Sequence, residues 1–406
     1  MGLFGMRLSR RPIHGQAKLV QMLLVILIIM LTLFGLFANR FSLSGRQRFV
    51  FSKKYLAYSI FVTLLFSFIY LREIYLETDY DYRDAVKLYT YMNITVAIIN
   101  FVTQMFMSNQ VARMMSKVPL FETLKQLHIE RAAIKRSVIL ALIKVIGFPL
   151  VMELALMWQQ KRNEPHLSLV WTLYKLLPMI ISNFLNNCYF GAMIIAKNII
   201  ETINAKLRTQ VQQVNFMQQA QELENRSRYY RIQQFCNFAD ELDNLAFIYK
   251  IVCSQATDYM ALMSLSVVLS LICHLLGITV GVFNQYYAIA QTIFEHKPYD
   301  GFGALINIVF LIISLLEIMM LALLSNNILL TTQTTGSVLQ ELKLLEADWR
   351  YRQSVHTFSL QVVIINYRIK PMGLFEIDIA LMNSVLSTVA SFALILVQSD
   401  LSQRFK

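Results

Sequence analysis

The stretch Ile379–Gln398 reads IALMNSVLSTVASFALILVQ, and it is the last of several segments of this sequence that are long and apolar enough to cross a lipid bilayer. Four of its polar side chains, Ser384, Thr388, Ser391 and Gln398, follow one another at intervals of four, three and seven residues, which places them on one helical face. Polar groups in hydrocarbon are costly unless they meet partners or water. The stripe therefore indicates a helix that lines an aqueous path or one that packs closely against other helices.

The composition predicts the broad class of the protein. Of the 406 residues, 56% are hydrophobic and only 15% are charged, and the mean hydropathy is +0.50. A soluble protein of this size carries roughly a quarter charged residues. The sequence thus predicts an all-α, polytopic membrane protein in contact with membrane lipid.

Motifs for catalysis or cofactor binding are missing from the sequence. The His, Cys and acidic residues show no metal-ligand spacing, and there is no Gly-rich phosphate loop, G-x-S-x-G or H-E-x-x-H motif. We therefore predict no enzyme activity, no catalytic residue, no cofactor and no metal. The net charge of +12 indicates basic cytoplasmic loops facing anionic lipid, and we predict no nucleic-acid partner.

The distribution of Lys and Arg predicts the topology. Apolar stretches lie near 18–38, 55–71, 92–111, 137–157, 167–196, 259–283, 301–325 and 379–397. If the first does not span, the Lys and Arg counts of successive loops alternate strictly between high and low. The positive-inside rule then gives seven spans, a cytoplasmic N-terminus and an outer C-terminus. Since 18–38 is basic on both flanks, we interpret it as an embedded or interfacial segment, the alternative being an eighth span.

This topology divides the chain into six parts. They are a cytoplasmic N-terminal region (1–54), the first four transmembrane helices (55–196), a cytoplasmic helical anchor region (197–258), the fifth and sixth transmembrane helices (259–325), a second cytoplasmic helical region (326–378) and the seventh transmembrane helix with a short extracellular tail (379–406). Within the second cytoplasmic region, apolar residues recur at helical spacing, as on a packed helix face.

The residues Ser391 to Ser399 resemble the signature of insect gustatory receptors, which is Thr-Tyr, five hydrophobic residues and Gln-Phe. Ser391 stands for Thr, Phe392 for Tyr, five hydrophobic residues follow, Gln398 matches, and Ser399 replaces Phe. The stretches Phe358–Gln361 and Gly373–Asp378 are similar to the approach to the seventh helix in that family. Motif-level similarity covers about the last fifty residues, and topology alone matches over the remainder.

The resemblance implies a gustatory receptor that is a ligand-gated, non-selective cation channel, with a small-molecule tastant as ligand and cations as the permeating species. It also implies a tetramer, of one chain or of related receptors, in the plasma membrane of sensory-neuron dendrites. The seventh helices of four subunits would line one pore. The implied pore-lining residues are Ser384, Thr388, Ser391, Ile395 and Gln398, with rings of Ile395 and Gln398 at the constriction.

The resemblance further implies a ligand site in the outer half of the helical bundle. Aromatic and polar residues at the predicted outer ends of the spans are suited to a small organic ligand. They are Glu153, Trp158, Trp171, Tyr174, Phe283, Tyr286, Tyr287 and Asn307. The alternative interpretation is packing or an interfacial belt of Trp and Tyr.

Charged residues within the spans are functional candidates by default. Glu317 is predicted to face the cytoplasmic anchor or the seventh helix, and Lys144 is predicted to be functional or to reach out to the interface.

Two other classes of membrane protein stay as alternatives. A G-protein-coupled receptor requires an outer N-terminus, which the charges oppose, and a secondary transporter commonly has repeats and broken helices, whereas Gly (13) and Pro (7) are scarce here.

Overall fold

The computed structural model describes residues 28–405, except for 43–47, 77–84, 118–130, 164–167, 220–227, 297, 343, 345–346 and 366. Almost all of the described chain is helical. A single antiparallel hairpin of β1 (Asn39–Ser42) and β2 (Arg48–Phe51) precedes the helices that follow. These are α1 (Lys53–Leu76), α2 (Ala85–Lys117), α3 (Arg131–Leu142), a π-helical segment (Ile143–Gly147), α4 (Phe148–Asn163), α5 (Leu169–Gln219), α6 (Arg228–Phe294), α7 (Gly301–Gln340), α8 (Trp349–Ile365) and α9 (Ile379–Arg404).

Six described helical segments are long and apolar enough to cross a membrane. They are Lys53–Leu76, Lys135–Trp158, Leu169–Met217, Tyr229–Phe294, Gly301–Gln340 and Ile379–Arg404. The remaining predicted span, 92–111, lies within α2, which is 33 residues long but richer in polar residues. Helix α2 packs against α1, α5 and α6, and its Asn93 and Asn100 side chains are buried in those contacts. The prediction of an all-α polytopic membrane protein is confirmed.

The long helices α5, α6 and α7 form the centre of the bundle. Their 51, 67 and 40 residues correspond to about 75, 100 and 60 Å of helix. A bilayer core is only about 30 Å thick, so all three continue well beyond it. Beyond the apolar part, α8 packs on α6 with Tyr249, Tyr351 and Phe358 fully buried, and the Tyr249 and Phe358 rings lie 5.6 Å apart.

Polar side chains inside the bundle are paired between helices. Ser182 on α5 donates a hydrogen bond to Asn93 Oδ1 on α2 at 2.7 Å, and Ser270 on α6 donates to Asn183 Oδ1 on α5 at 3.2 Å. All four side chains are buried. In a membrane, buried polar groups must find their partners within the protein, so these pairs fix how α2, α5 and α6 are aligned.

The N-terminal region packs onto the bundle through a feature that the hydropathy pattern did not predict. Residues 28–33 are helical, Leu36 and Phe37 are buried in the main core, and the chain turns at Gly35, whose φ is +72°. The hairpin then lies on α2, where Asn39 Nδ2 donates to the carbonyl of Ser108 at 2.9 Å. The first part of the predicted interfacial segment, 18–27, lies outside the described residues.

Candidate pore helix and ligand site

Helix α9 begins at a defined cap. The Asp378 carboxylate accepts a hydrogen bond from the Leu381 backbone amide at 2.9 Å, which satisfies a free donor of the first turn. Just before it, Lys370 and Arg368 both contact Glu376, at 2.7 and 2.9 Å. These two contacts, that of Lys370 first, hold the pKa of Glu376 below its usual range. The cap and the ion cluster together fix where the last span starts.

Helix α9 is attached to the rest of the chain along one narrow face. Only 11% of its apolar window is buried within the chain, against 67% for α5. Its buried residues are Val389 and Ala393, and the helix as a whole packs against α6 and α7. At 100° per residue, these two positions lie roughly opposite the centre of the polar stripe. The helix therefore presents the stripe away from its own subunit.

The five predicted pore-lining residues lie on that outward face. Ser384, Ser391, Ile395 and Gln398 are exposed, and Thr388 is half-buried. Thr388 Oγ1 donates to the Ser384 carbonyl at 2.7 Å, and Ser391 Oγ donates to the Ser387 carbonyl at 2.9 Å. Such bonds within the helix satisfy the hydroxyl protons and leave oxygen lone pairs on the surface. The remaining motif residues, Phe392 and Ser399, are exposed as well. Pore lining stays a prediction.

The predicted ligand-site residues fall into separate groups. The first joins α1 and α5. Tyr174 stacks on Tyr70 with ring centroids 4.8 Å apart, and the Trp171 ring meets Tyr174 edge-on at 5.3 Å. The Tyr174 hydroxyl donates to Glu73 Oε2 at 2.6 Å. Trp171 is 55% exposed, so this group forms a surface wall with one buried flank.

The second group lies at the end of α6, beside the end of α9. Phe283 has its ring 6.0 Å from that of Tyr286 and 6.1 Å from that of Tyr287. The Tyr286 hydroxyl donates to Asp400 Oδ2 at 3.0 Å, and the guanidinium of Arg404 lies over the Tyr287 ring at 5.3 Å. This aromatic group thus contacts the helix that carries the polar stripe.

The last three predicted residues lie on α4 and α7. Trp158 is 65% exposed and faces the Phe302 ring at 6.1 Å, and Glu153 is half-buried. The Asn307 side chain holds two helices together, because its Nδ2 on α7 donates a hydrogen bond to the Gly281 carbonyl on α6 at 2.7 Å. The structure therefore brings Phe283, Tyr286 and Tyr287 together, and it places the other residues in other groups.

A buried charged cluster is the main feature that the sequence analysis missed. Lys144 Nζ, on the π-helical segment, lies 3.2 Å from Glu317 Oε1 on α7 and 3.1 Å from Asn187 Oδ1 on α5. His274 Nε2 on α6 lies 2.8 Å from Glu317 Oε2. The Lys144 and Glu317 side chains are 0% and 1% exposed. One cluster thus joins four segments of the bundle.

The interfacial alternative for Lys144 and both expected contacts of Glu317 were wrong. Lys144 does not reach out to the interface, because the carboxylate and amide partners hold its ammonium group inside. Glu317 faces Lys144 and His274 instead of the seventh helix or the anchor region. An intramembrane charge that lacks a partner is costly. An opposite charge at a similar depth in another span was therefore the sequence signal that could have predicted this pairing. The π-helical segment, a feature frequent at functional sites, had no sequence signal.

Comparisons with known proteins agree with this architecture. The family model described as 7tm Chemosensory receptor matches residues 13–403. Gustatory receptor 94a of Drosophila melanogaster is 51% identical over 396 residues, covering 97% of this chain and 98% of that protein. Gustatory receptor 97a of the same species is 39% identical over 404 residues, with 98% and 94% covered.

The fold also matches solved structures. The olfactory receptor OR5 from Machilis hrabei has a TM-score of 0.63 and covers 95% of this chain and 100% of its own, and the same receptor in complex with eugenol has a TM-score of 0.60 with the same coverage. Identity is 13% in both cases, so this likeness concerns the fold. With the family model spanning nearly the whole chain and relatives at up to half identity, the chain belongs to the seven-transmembrane chemosensory receptor family, among the insect gustatory receptors.

Proposed function

We propose that this receptor is a ligand-gated, non-selective cation channel in which four copies, identical or related, place α9 around a common axis. The observation that carries the proposal is the arrangement of α9. Its polar stripe lies on an exposed face, opposite the buried residues Val389 and Ala393. Four such stripes around an axis would form a hydrated vestibule, narrowed by the Ile395 and Gln398 side chains.

The N-terminus lies in the cytoplasm and the C-terminus outside, in this proposal. The alternation of basic loops supports that orientation. It places the parts of α5, α6 and α7 beyond the membrane, together with α8, in the cytoplasm as an anchor between subunits. Exposed aromatic and aliphatic side chains in this region, Phe216, Phe247, Val363 and Ile364, support a role in subunit contacts.

A small organic tastant opens the channel from the outer half of the bundle. The aromatic group Phe283, Tyr286 and Tyr287 supports this site, because aromatic walls with few polar groups suit such ligands. The related fold of the Machilis receptor accommodates eugenol, a small molecule. Contact with α9 through Tyr286 gives this group a direct connection to the proposed gate.

The test combines current recording with thiol chemistry at the gate. The receptor is expressed in a cell lacking chemoreceptors, and currents are recorded during application of a panel of tastants. In Gln398→Cys, a membrane-impermeant cationic thiosulfonate applied outside should block the evoked current. The matched control is Val397→Cys, on the half-buried side of the same turn, where block should be absent. Equal reactivity of both variants, or evoked current without block, would refute pore lining.

The competing receptor class is tested by the position of the termini. Epitope tags on both ends are probed in intact and permeabilised cells. We expect the C-terminal tag to be accessible in intact cells and the N-terminal tag only after permeabilisation. An accessible N-terminus would favour a G-protein-coupled receptor over the channel.

A further inference from the structure

An ionic network holds the C-terminal end of α9 against α6. Arg404 Nε donates to Asp400 Oδ2 at 2.7 Å, one turn earlier on the same helix, and Arg404 Nη1 donates to Glu295 Oε1 at 2.9 Å, just past the end of α6. The Arg404 and Asp400 side chains are each 16% exposed. Charge-assisted hydrogen bonds in such partly buried positions are stronger and less screened than pairs in open water.

Aromatic contacts complete this attachment. The Arg404 guanidinium lies over the Tyr287 and Phe294 rings at 5.3 and 5.9 Å, and Phe294 meets Phe405 edge-on at 5.8 Å. We call Tyr286, Glu295, Asp400 and Arg404 the outer clamp. One oxygen, Asp400 Oδ2, accepts from both the Tyr286 hydroxyl and Arg404 Nε. A change at Tyr286 or at Arg404 therefore alters the hydrogen bonds of the same carboxylate.

The outer clamp lies behind the proposed gate. Asp400 follows Gln398 by two residues, and at 100° per residue it lies on the side of the helix that carries Val389 and Ala393. Residues 394–399, which lie between Ala393 and the clamp, are all exposed or half-buried. The network is therefore the strongest polar link that the described residues show between this end of α9 and the rest of the subunit.

We propose that the outer clamp holds the gate end of α9 back from the pore axis, and that Tyr286 connects the aromatic ligand group to it. This inference rests on the proposed function. Because the clamp acts on the side opposite Ile395 and Gln398, releasing it lets the four gate ends approach one another. Tyr286 is then a positioning residue for the gate, and displacement of its hydroxyl by a ligand moves Asp400.

The position of the gate end is measured by cross-linking between subunits, which requires no ligand. The full-length receptor carries Gln398→Cys and is oxidised in cell membranes with copper–phenanthroline, and dimer formation is followed with time. The native cysteines are buried or half-buried, and the receptor without the added cysteine serves as the background. Arg404→Gln, Asp400→Ala and Tyr286→Phe are each combined with Gln398→Cys.

We expect each variant to raise the cross-linking rate by at least about threefold, since a hydrogen bond to a charged group is worth roughly tenfold in a local equilibrium. Tyr286→Phe with Asp400→Ala should raise it no further than Asp400→Ala alone, because both remove the hydrogen bond between Tyr286 and Asp400. Arg404→Lys should give an intermediate rate, since one ammonium group keeps the charge but does not reproduce the geometry of the guanidinium contacts with both Asp400 and Glu295. Gln403→Ala, an exposed neighbour, should leave the rate unchanged.

The outcomes separate this inference from the proposed function. If Gln398→Cys fails to cross-link both in the otherwise unchanged receptor and in every clamp variant, the result would argue against a shared axis and hence against the channel. Normal cross-linking that is unaltered or slowed by the clamp variants would overturn the clamp alone. Additive effects of Tyr286→Phe and Asp400→Ala would also overturn it. Tetramer mobility on a native gel identifies any variant that merely fails to assemble, and Arg404→Lys then carries the test.

Discussion

Lys144→Met is expected to be among the most destabilising substitutions in the membrane part of this receptor. It leaves the Glu317 carboxylate, which is 1% exposed, without the ammonium group 3.2 Å away. Removing one partner of a buried ion pair costs about 3–5 kcal/mol. In this variant the buried Glu317 carboxylate keeps only the His274 imidazole, 2.8 Å away. The Asn187 oxygen also loses its donor. Replacing both charges avoids most of this cost, so Lys144→Met with Glu317→Gln should lie within about 1–2 kcal/mol of the unchanged receptor.

The measurement is the temperature at which the purified receptor in nanodiscs loses its folded peak in fluorescence-detected size-exclusion chromatography. At about 2 °C per kcal/mol for a large chain, the single variant should melt about 6–10 °C lower, and the double variant no more than about 4 °C lower. The matched control is Lys197→Met. Its pair with Glu201 is 3.1 Å long, but the side chains are 24% and 42% exposed, so a loss below about 1 kcal/mol is expected.

Two results would refute this reasoning. A double variant as unstable as Lys144→Met would mean that lost packing, not an uncompensated charge, causes the destabilisation. A single variant as stable as the Lys197→Met control would mean that Glu317 is not charged in the folded protein, that water reaches it, or that its contact with His274 is sufficient alone.

Two other predictions concern a helix contact and the linker before α9. Gly281→Val should cost about 1–3 kcal/mol by overpacking, because a Cβ there would lie 2.6 Å from Leu311 Cδ2, and in the same melting assay Leu311→Ala should restore part of the loss. Because its pKa is lowered, the Glu376 carboxylate stabilises the folded linker above the ordinary carboxyl range, and this contribution is lost only as the pH falls through the lowered value. Trypsin cleavage after Arg368 should therefore stay slow from pH 7 to about pH 5.5, whereas Glu376→Gln should accelerate it throughout; a rise in cleavage of the unchanged receptor within that window would contradict the assignment.

Hydropathy and charge predicted the class and most of the spans because both report on single segments. The last span was predicted to begin at Ile379, and α9 begins there, since Asp378 is a good cap and the apolar run follows at once. The sixth was predicted over 301–325, and α7 begins at Gly301 but continues to Gln340. Hydropathy marks the part of a helix that suits lipid, and it does not mark where a polar continuation ends.

The contacts between segments could not be predicted in the same way. Lys144 and Glu317 lie more than a hundred residues apart in the sequence. Their pairing, and that of His274, depends on how α5 aligns the π-helical segment, α6 and α7. Two of the three were recognised as intramembrane charges, but their partners were not. Likewise Tyr286 was predicted from its aromatic character, whereas its bond to Asp400 depends on the course of two helices.

The hydrogen-bonding groups on the exposed face of α9 determine which surroundings that face can have. The Thr388 and Ser391 hydroxyls donate within their own helix, so either lipid or water is tolerable beside them. Gln398 differs, because its amide carries two donors and an acceptor, is exposed, and makes no hydrogen bond to the described residues. The hydrocarbon of a bilayer cannot satisfy such a group, whereas water, lipid headgroups or the same residue of neighbouring subunits can. Ile395 shares this face one turn earlier, and the two residues together fit the constriction at an aqueous mouth that we propose.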